Sequence, residues 1–99
     1  MSVDSIVFGL DPLGYQQISG LSSAVGFTIP SGASVAVVVP QTQAVRWRDD
    51  GTDPSATVGM PIAVAERYVF DHAKLPKVKF FEQAASAVLN VSYYGRLST

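Results

Sequence analysis

Glycine and proline recur at nearly regular intervals along this chain of 99 residues, and their spacing limits what it can fold into. Both residues interrupt helices and strands, and the stretches between these interruptions are only about 8–12 residues long. Such spacing is typical of sandwiches and barrels. β-Branched and aromatic residues, which favour strands, fill those stretches. The sequence therefore predicts many short strands and little helix.

Alternation of apolar and polar residues places individual strands. Val45 and Trp47 fall on one face of a strand whose other face carries arginines, and Val78 with Phe80 alternates with lysines in the same way. Near the end of the chain Leu89, Val91 and Tyr93 share one face. The apolar run 34–39 predicts a central strand, whereas the alanine-rich stretch 82–88 predicts a turn. Strands are expected at residues 27–29, 34–39, 44–48, 66–70, 77–81 and 89–94, with one or two more elsewhere.

The expected fold is all-β: a single antiparallel β-sandwich of seven to eight strands, jelly-roll-like, formed by residues 1–99. Residues 1–20 are a candidate extended N-terminal arm, and residues 18–25 are expected to form a loop or an edge strand. No apolar run approaches the roughly 20 residues of a membrane span, and residues 1–4 do not resemble a targeting signal. We therefore expect a soluble protein.

Charged residues are scarce, at 15% of the chain against about 25% in a typical soluble domain. Seven basic and eight acidic residues nearly cancel, so no basic surface for nucleic acid or for an anionic membrane is expected. A weakly charged surface is poorly protected against association. It predicts that part of the surface is covered by a partner, the alternative being a monomer coated with hydroxyls and amides.

Catalytic chemistry has few candidate residues. The absence of cysteine excludes disulfides, thiolate nucleophiles and zinc–thiolate sites. His72 is the single histidine, and neither a nucleophile motif nor a phosphate-binding loop accompanies it. Glu66 and Glu82, the two glutamates, are the remaining pair to consider for glycoside hydrolysis. We expect no enzymatic activity and no cofactor.

An acidic group surrounds Gly51. Asp49, Asp50 and Asp53 could supply oxygen ligands to a hard cation such as Ca²⁺, but their spacing fits no EF-hand loop. The favoured interpretation is a turn whose aspartates bind backbone N–H groups. Arg46 and Arg48 precede this group and are expected to pair with its carboxylates.

Aromatic residues suggest either a stacking platform or a contact surface. Trp47, Tyr68, Tyr93 and Tyr94 could together stack on a sugar or a base, but Trp47 and Tyr93 fall on the core face of their strands. Phe81 and Tyr94 depart from the inward pattern and favour subunit contact. The candidate interaction residues are Arg46, Arg48, Asp49, Asp50, Asp53, Phe81 and Tyr94.

Two blocks of the sequence resemble small structural proteins encoded by tailed bacteriophages. Residues 45–61 read Val-Arg-Trp-Arg-Asp-Asp-Gly-Thr-Asp-Pro-Ser-Ala-Thr-Val-Gly-Met-Pro, and residues 79–94 read Lys-Phe-Phe-Glu-Gln-Ala-Ala-Ser-Ala-Val-Leu-Asn-Val-Ser-Tyr-Tyr. Together they span about half of the chain, roughly residues 44–94. The first 30 residues take no part in the resemblance.

The resemblance implies a β-sandwich component of the virion, located in the head or the neck and assembled in the host bacterial cytoplasm. It implies capsid decoration, capsid stabilisation or a place in the head–tail collar. The expected partners are major capsid or connector proteins and further copies of the chain, without nucleic acid or membrane. Two alternatives stay open: a carbohydrate-binding or host-surface attachment module, and a small enzyme of cupin-like shape.

Overall fold

The computed structural model describes residues 10–71 and 75–95, and this part of the chain consists of strands, turns and loops without helix. It contains eight strands, which confirms the all-β prediction and its strand number. They are β1 (Asp11–Ile18), β2 (Val25–Gly26), β3 (Ala33–Gln41), β4 (Val45–Arg48), β5 (Met60–Ile62), β6 (Tyr68–Asp71), β7 (Lys79–Glu82) and β8 (Val88–Gly95).

The strands form two antiparallel sheets of four, in the orders β1-β8-β3-β6 and β2-β7-β4-β5. Strands equally far from the two ends of the series are paired: β1 with β8, β2 with β7, β3 with β6, and β4 with β5. Successive pairs fall alternately in the two sheets. This is the pattern of one long hairpin rolled around a core, so the predicted jelly roll is confirmed.

The strand directions place the loops at two ends of the sandwich. Asp11 pairs with Gly95, so both ends of the described chain lie at one end together with the loops 27–32, 49–59 and 75–78. We call this the long-loop end. The connections 19–24, 42–44, 63–67 and 83–87 lie at the opposite, short-turn end. The two sides, where outer strands of both sheets meet, are the β1–β2 edge and the β5–β6 edge.

The core is the space between the sheets, and the predicted alternation supplies it. Val45 and Trp47 are buried, as are Val78 with Phe80 and Leu89 with Val91 and Tyr93. Phe70 of β6 lies at the centre, and its ring makes edge-on contacts with Phe27, Trp47 and Phe80 at centroid distances of 5.8, 4.9 and 5.7 Å. Each such contact contributes about 0.5–1.5 kcal/mol beyond area burial.

The strand prediction for residues 27–29 was wrong. Sheet pairing in this region stops at Gly26, and the N–H of Thr28 is instead bound by the side-chain oxygen of Gln16 at 3.2 Å. A side chain thus replaces the neighbouring strand there.

The prediction of a turn over residues 82–88 is confirmed for its centre, where Ser86 has a φ of 73°.

β1 and β5 were not predicted, because each contains a residue that interrupts sheets. Pro12 and Gly14 flank an irregularity in the pairing of β1 with β8, and β5 has Pro61 at its middle position. Proline is tolerated at sheet edges, which is where both strands lie. Within the candidate arm of residues 1–20, Asp11–Ile18 is a strand of the sandwich, and residues 1–9 lie outside the described part.

Phe70→Ala should lower the free energy of unfolding by about 3–5 kcal/mol, because it leaves a cavity where three aromatic rings converge. Denaturant titration measures this loss. Val69→Ala is the matched control, since Val69 is only half-buried in the same strand and its change should cost much less. Equal losses in the two variants would contradict the central role of Phe70.

Candidate interaction surface

Arg46 ties the 49–59 loop to the sandwich. Its Nε donates to the carbonyl oxygen of Ala56 at 3.2 Å and its Nη1 to that of Gly59 at 2.8 Å. The backbone requires a glycine at the same place, since Gly59 has a φ of 138° and a Cβ there would crowd the Arg46 side chain. Arg46 was expected to pair with a carboxylate, but it binds two loop carbonyls instead.

Arg48 and Asp50 form the second tie. The guanidinium donates to both carboxylate oxygens, at 3.0 and 2.5 Å, and Asp50 also accepts the N–H of Thr52 at 3.3 Å. The hydrogen bonds from Arg48 hold the pKa of Asp50 below its ordinary value, and the same contact raises the pKa of Arg48. Asp53 lies 3.4 Å from the Nζ of Lys79. Asp50 therefore binds a backbone N–H of the loop, as the turn interpretation expects, whereas Asp53 forms an ion pair with a lysine of β7.

Asp49 differs from its acidic neighbours. It is half-buried, and within residues 10–71 and 75–95 it has no hydrogen-bond or ion-pair partner. It lines two open cavities: one of about 440 Å³ with Pro76 and Lys77, and one of about 550 Å³ with Trp47 and Met60. No three acidic or histidine side chains of the described residues are grouped closely enough to hold a metal ion.

Apolar side chains are exposed mainly along the β5–β6 edge. Of the five large hydrophobic residues exposed in the described part of the chain, four lie on β5, on its flanking loops or at the start of β6. Met60 is 57% exposed in the middle of this row. We call the row the apolar strip; it consists of Val58, Met60, Val64 and Tyr68.

Trp47 lies beneath the apolar strip. Its ring centroid is 5.5 Å from that of Tyr68, and Met60 is its pairing partner across β4 and β5. The indole is buried, and its Nε1 has no hydrogen-bond partner in the part of the chain that the structure describes. A buried donor without a partner is costly, since most buried polar groups are satisfied. This edge is therefore both apolar and incompletely satisfied.

The β1–β2 edge is closed by a polar network. The Tyr93 hydroxyl donates to the side-chain oxygen of Gln16, whose Nε2 donates to the Thr28 hydroxyl at 3.1 Å. Burial raises the pKa of Tyr93 to about 12. Tyr15, the fifth exposed hydrophobic residue, lies on this side, where its hydroxyl binds Asn90. The two edges of the sandwich are thus chemically different.

Phe81 and Tyr94, both expected to mark a contact patch, belong to different sheets. Phe81 pairs with Arg46 across β7 and β4, whereas Tyr94 pairs with Val35 across β8 and β3. Both side chains are half-buried, and the hydroxyl of Tyr94 accepts a hydrogen bond from Ser92 at 3.3 Å. The structure does not bring them together.

The apolar strip was missed because β5 was not recognised as a strand. Met60 and Ile62 occupy every second position on either side of Pro61 and share one face of β5, where Met60 is exposed and Ile62 is buried. That spacing, together with the tolerance of proline at sheet edges, was the available signal. The exposure of Tyr68 had no such signal, because its apolar neighbour two positions on, Phe70, is buried.

The other sequence candidates are dispersed. Trp47 and Tyr93 are in the core and Tyr94 is on an outer face, so the four rings proposed as a stacking platform do not form one surface. Each glutamate accepts a backbone hydrogen bond in its own turn: Glu66 from Ala63 at 2.8 Å and Glu82 from Ala87 at 3.3 Å. His72 lies outside the described residues.

No helix in the described part of the chain is long and apolar enough to cross a membrane. Comparison with protein-family models, curated proteins and solved structures finds no match to this chain.

Removing the Tyr93 hydroxyl should change how stability depends on alkaline pH. Because the pKa rises from 10.0 to about 12 on folding, the stability it contributes is complete below pH 10.0 and is lost as the pH rises through about 12. Denaturant titrations over this range should show that loss in the wild type and a smaller one in Tyr93→Phe. Identical pH dependence in the two proteins would contradict the assignment.

Proposed function

We propose that this protein is a structural component of a tailed-bacteriophage virion that works by subunit assembly. In this role it decorates or stabilises the capsid, or forms part of the head–tail collar. Its partners are major capsid or connector proteins and other copies of itself, and its location is the assembled particle. The observation that carries the proposal is the apolar strip with Trp47 beneath it.

The position of the apolar strip supports a contact role more strongly than the low content of charged residues does. Scattered exposed hydrophobics are normal in monomers, but four in one row at one edge are typical of an interaction site. The row is also free of formal charge, as the centres of protein interfaces tend to be. A partner covering this edge would remove the Val58 and Met60 side chains from water.

The fold is compatible with this role. Jelly rolls occur in viral capsid domains, in lectins and in cupins, so the fold by itself does not select among them. The phage resemblance over residues 44–94 coincides with the elements that build the apolar strip, because β4, the 49–59 loop and β5 all lie inside it. The first block that resembles phage proteins, residues 45–61, thus contains Val58 and Met60 of the strip, whereas Val64 and Tyr68 lie between the two blocks.

Incorporation into particles tests the proposal. Virions purified from a host that carries the intact gene should contain this chain, and imaging should place it on the head or neck with the β5–β6 edge covered. Met60→Glu should reduce incorporation by roughly tenfold or more, because it puts a charge in the middle of the contact. Tyr15→Glu, an equally exposed change at the opposite edge, is the control. Absence of the chain from purified particles would overturn the proposal.

A carbohydrate-binding role is the second candidate, and the Trp47–Tyr68 ring pair beside an open cavity is the observation that favours it. Here Tyr68→Ala should abolish binding on a glycan array, whereas Tyr94→Ala, on the outer face of β8 in the same sheet, should not. Trp47→Ala is unsuitable because Trp47 is a core residue. Wild-type protein that binds no glycan would remove this candidate.

A further inference from the structure

Each end of the apolar strip has a charged residue without an ion-pair partner among the described residues, and the two are opposite in sign. Asp49 lies at the long-loop end, where it lines the same cavity as Val58 and Met60. Arg67 lies at the short-turn end, next to Tyr68, and is exposed. Neither has a hydrogen-bond or ion-pair partner within the described part of the chain.

Some other charged residues along this edge have partners, but Asp71, exposed at the long-loop end of β6, is a further acid without a hydrogen-bond or ion-pair partner among the described residues. Arg48 and Asp50 neutralise each other at the long-loop end. The carboxylate of Glu66 accepts the N–H of Ala63 within its own turn. Asp49 and Arg67 are thus opposite charges without an ion pair in the described part of the chain and are separated by the length of the strip, and Asp71 adds to the negative charge of the long-loop end. An extended chain covers about 20 Å between positions 58 and 64.

We propose that the occupant of the apolar strip is the apolar strip of a second copy of this chain, related by a two-fold axis. Such an axis through the middle of the strip, near Met60, runs the two strips in opposite directions. Asp49 of each copy then faces Arg67 of the other, and two equivalent ion pairs form across the axis. A parallel arrangement would instead bring like charges together.

The contact is made by side chains and not by added strand pairing. Pro61 occupies the middle of β5, one of the two outer strands here, and cannot donate a backbone hydrogen bond, while the other outer strand, β6, has only four residues. Met60 and Tyr68 meet their counterparts across the axis and further cover the Trp47 ring. Val58 of one copy approaches Val64 of the other. The apolar centre supplies burial, and the two charge pairs at the rim set the orientation.

This inference deepens the proposed assembly role and rests on it, but the two can be separated by measurement. Sedimentation of the purified full-length chain over a range of concentrations reports self-association. Wild-type protein should dimerise, and Met60→Glu should raise the dissociation constant at least about tenfold. Tyr15→Glu, at the opposite edge, should match the wild type. Circular dichroism verifies that each variant is folded.

Charge reversal tests the two-fold arrangement. Asp49→Arg and Arg67→Asp should each weaken the dimer by about tenfold or more, because each places like charges opposite one another twice. The double variant should return to within about threefold of wild type, since the pairs are restored with their signs exchanged. If the two changes weaken the dimer additively in the double variant, the proposal is overturned. It is also overturned if Arg67→Asp alone leaves the dissociation constant unchanged.

Particle binding distinguishes the inference from the function on which it rests. Wild-type protein that stays monomeric at every concentration, yet loses particle binding through Met60→Glu, would overturn the two-fold contact and leave the assembly role standing. In that case the strip docks on a different virion protein. A dimer that shows the charge-reversal rescue but never joins particles would support the contact and overturn the virion role.

Discussion

Pairing of β8 with both β1 and β3 is the constraint on which the sandwich depends. β8 lies between these strands, and its inner face supplies Leu89, Val91 and Tyr93 to the core. Through it the last described strand joins the first and the third, so the contacts that hold this sheet connect distant parts of the chain. Without β8, β1 would have no partner in the sheet and β3 would be paired only with β6.

Close approach of backbones at the long-loop end makes this pairing sterically demanding. A Cβ at Gly95 would overlap the carbonyl oxygen of Gly32, and the end of β8 must fit between Asp11 and Ala33. Gly32 itself has a φ of 85°, a conformation that glycine adopts without cost. Small residues at these two positions allow three strands to meet at one end of the sheet.

The two side edges of the sandwich differ in the contacts that join the sheets. At the β1–β2 edge the Gln16 side chain bonds to Thr28 and Tyr93, so polar contacts join the two sheets. At the β5–β6 edge the sheets are joined by a tilted contact between the Trp47 and Tyr68 rings, and the indole nitrogen has no hydrogen-bond partner among the described residues. The β1–β2 edge thus completes the fold, and we assign the β5–β6 edge to contact with a partner.

Period-two alternation determined the core from the sequence, because a strand presents successive side chains to opposite faces. Val45 with Trp47, Val78 with Phe80, and the β8 triplet all lie where it placed them. It also predicted the class and the number of strands. It failed at β1 and β5, whose proline and glycine residues look like interruptions until the strands are known to lie at sheet edges, and at residues 27–29, where a side chain replaces a strand.

The surface was decided by tertiary structure alone. The sequence named Arg46, Phe81 and Tyr94 as contact candidates, yet Arg46 is occupied by loop carbonyls and the two aromatic residues lie on different sheets. Which strands become edges, and which side chains therefore meet there, depends on pairings between residues far apart in the chain. Val58, Met60, Val64 and Tyr68 share a row because β5 and β6 end their sheets on the same side. Local patterning can set the face of a strand, but only the rolled hairpin sets its place in the sheet.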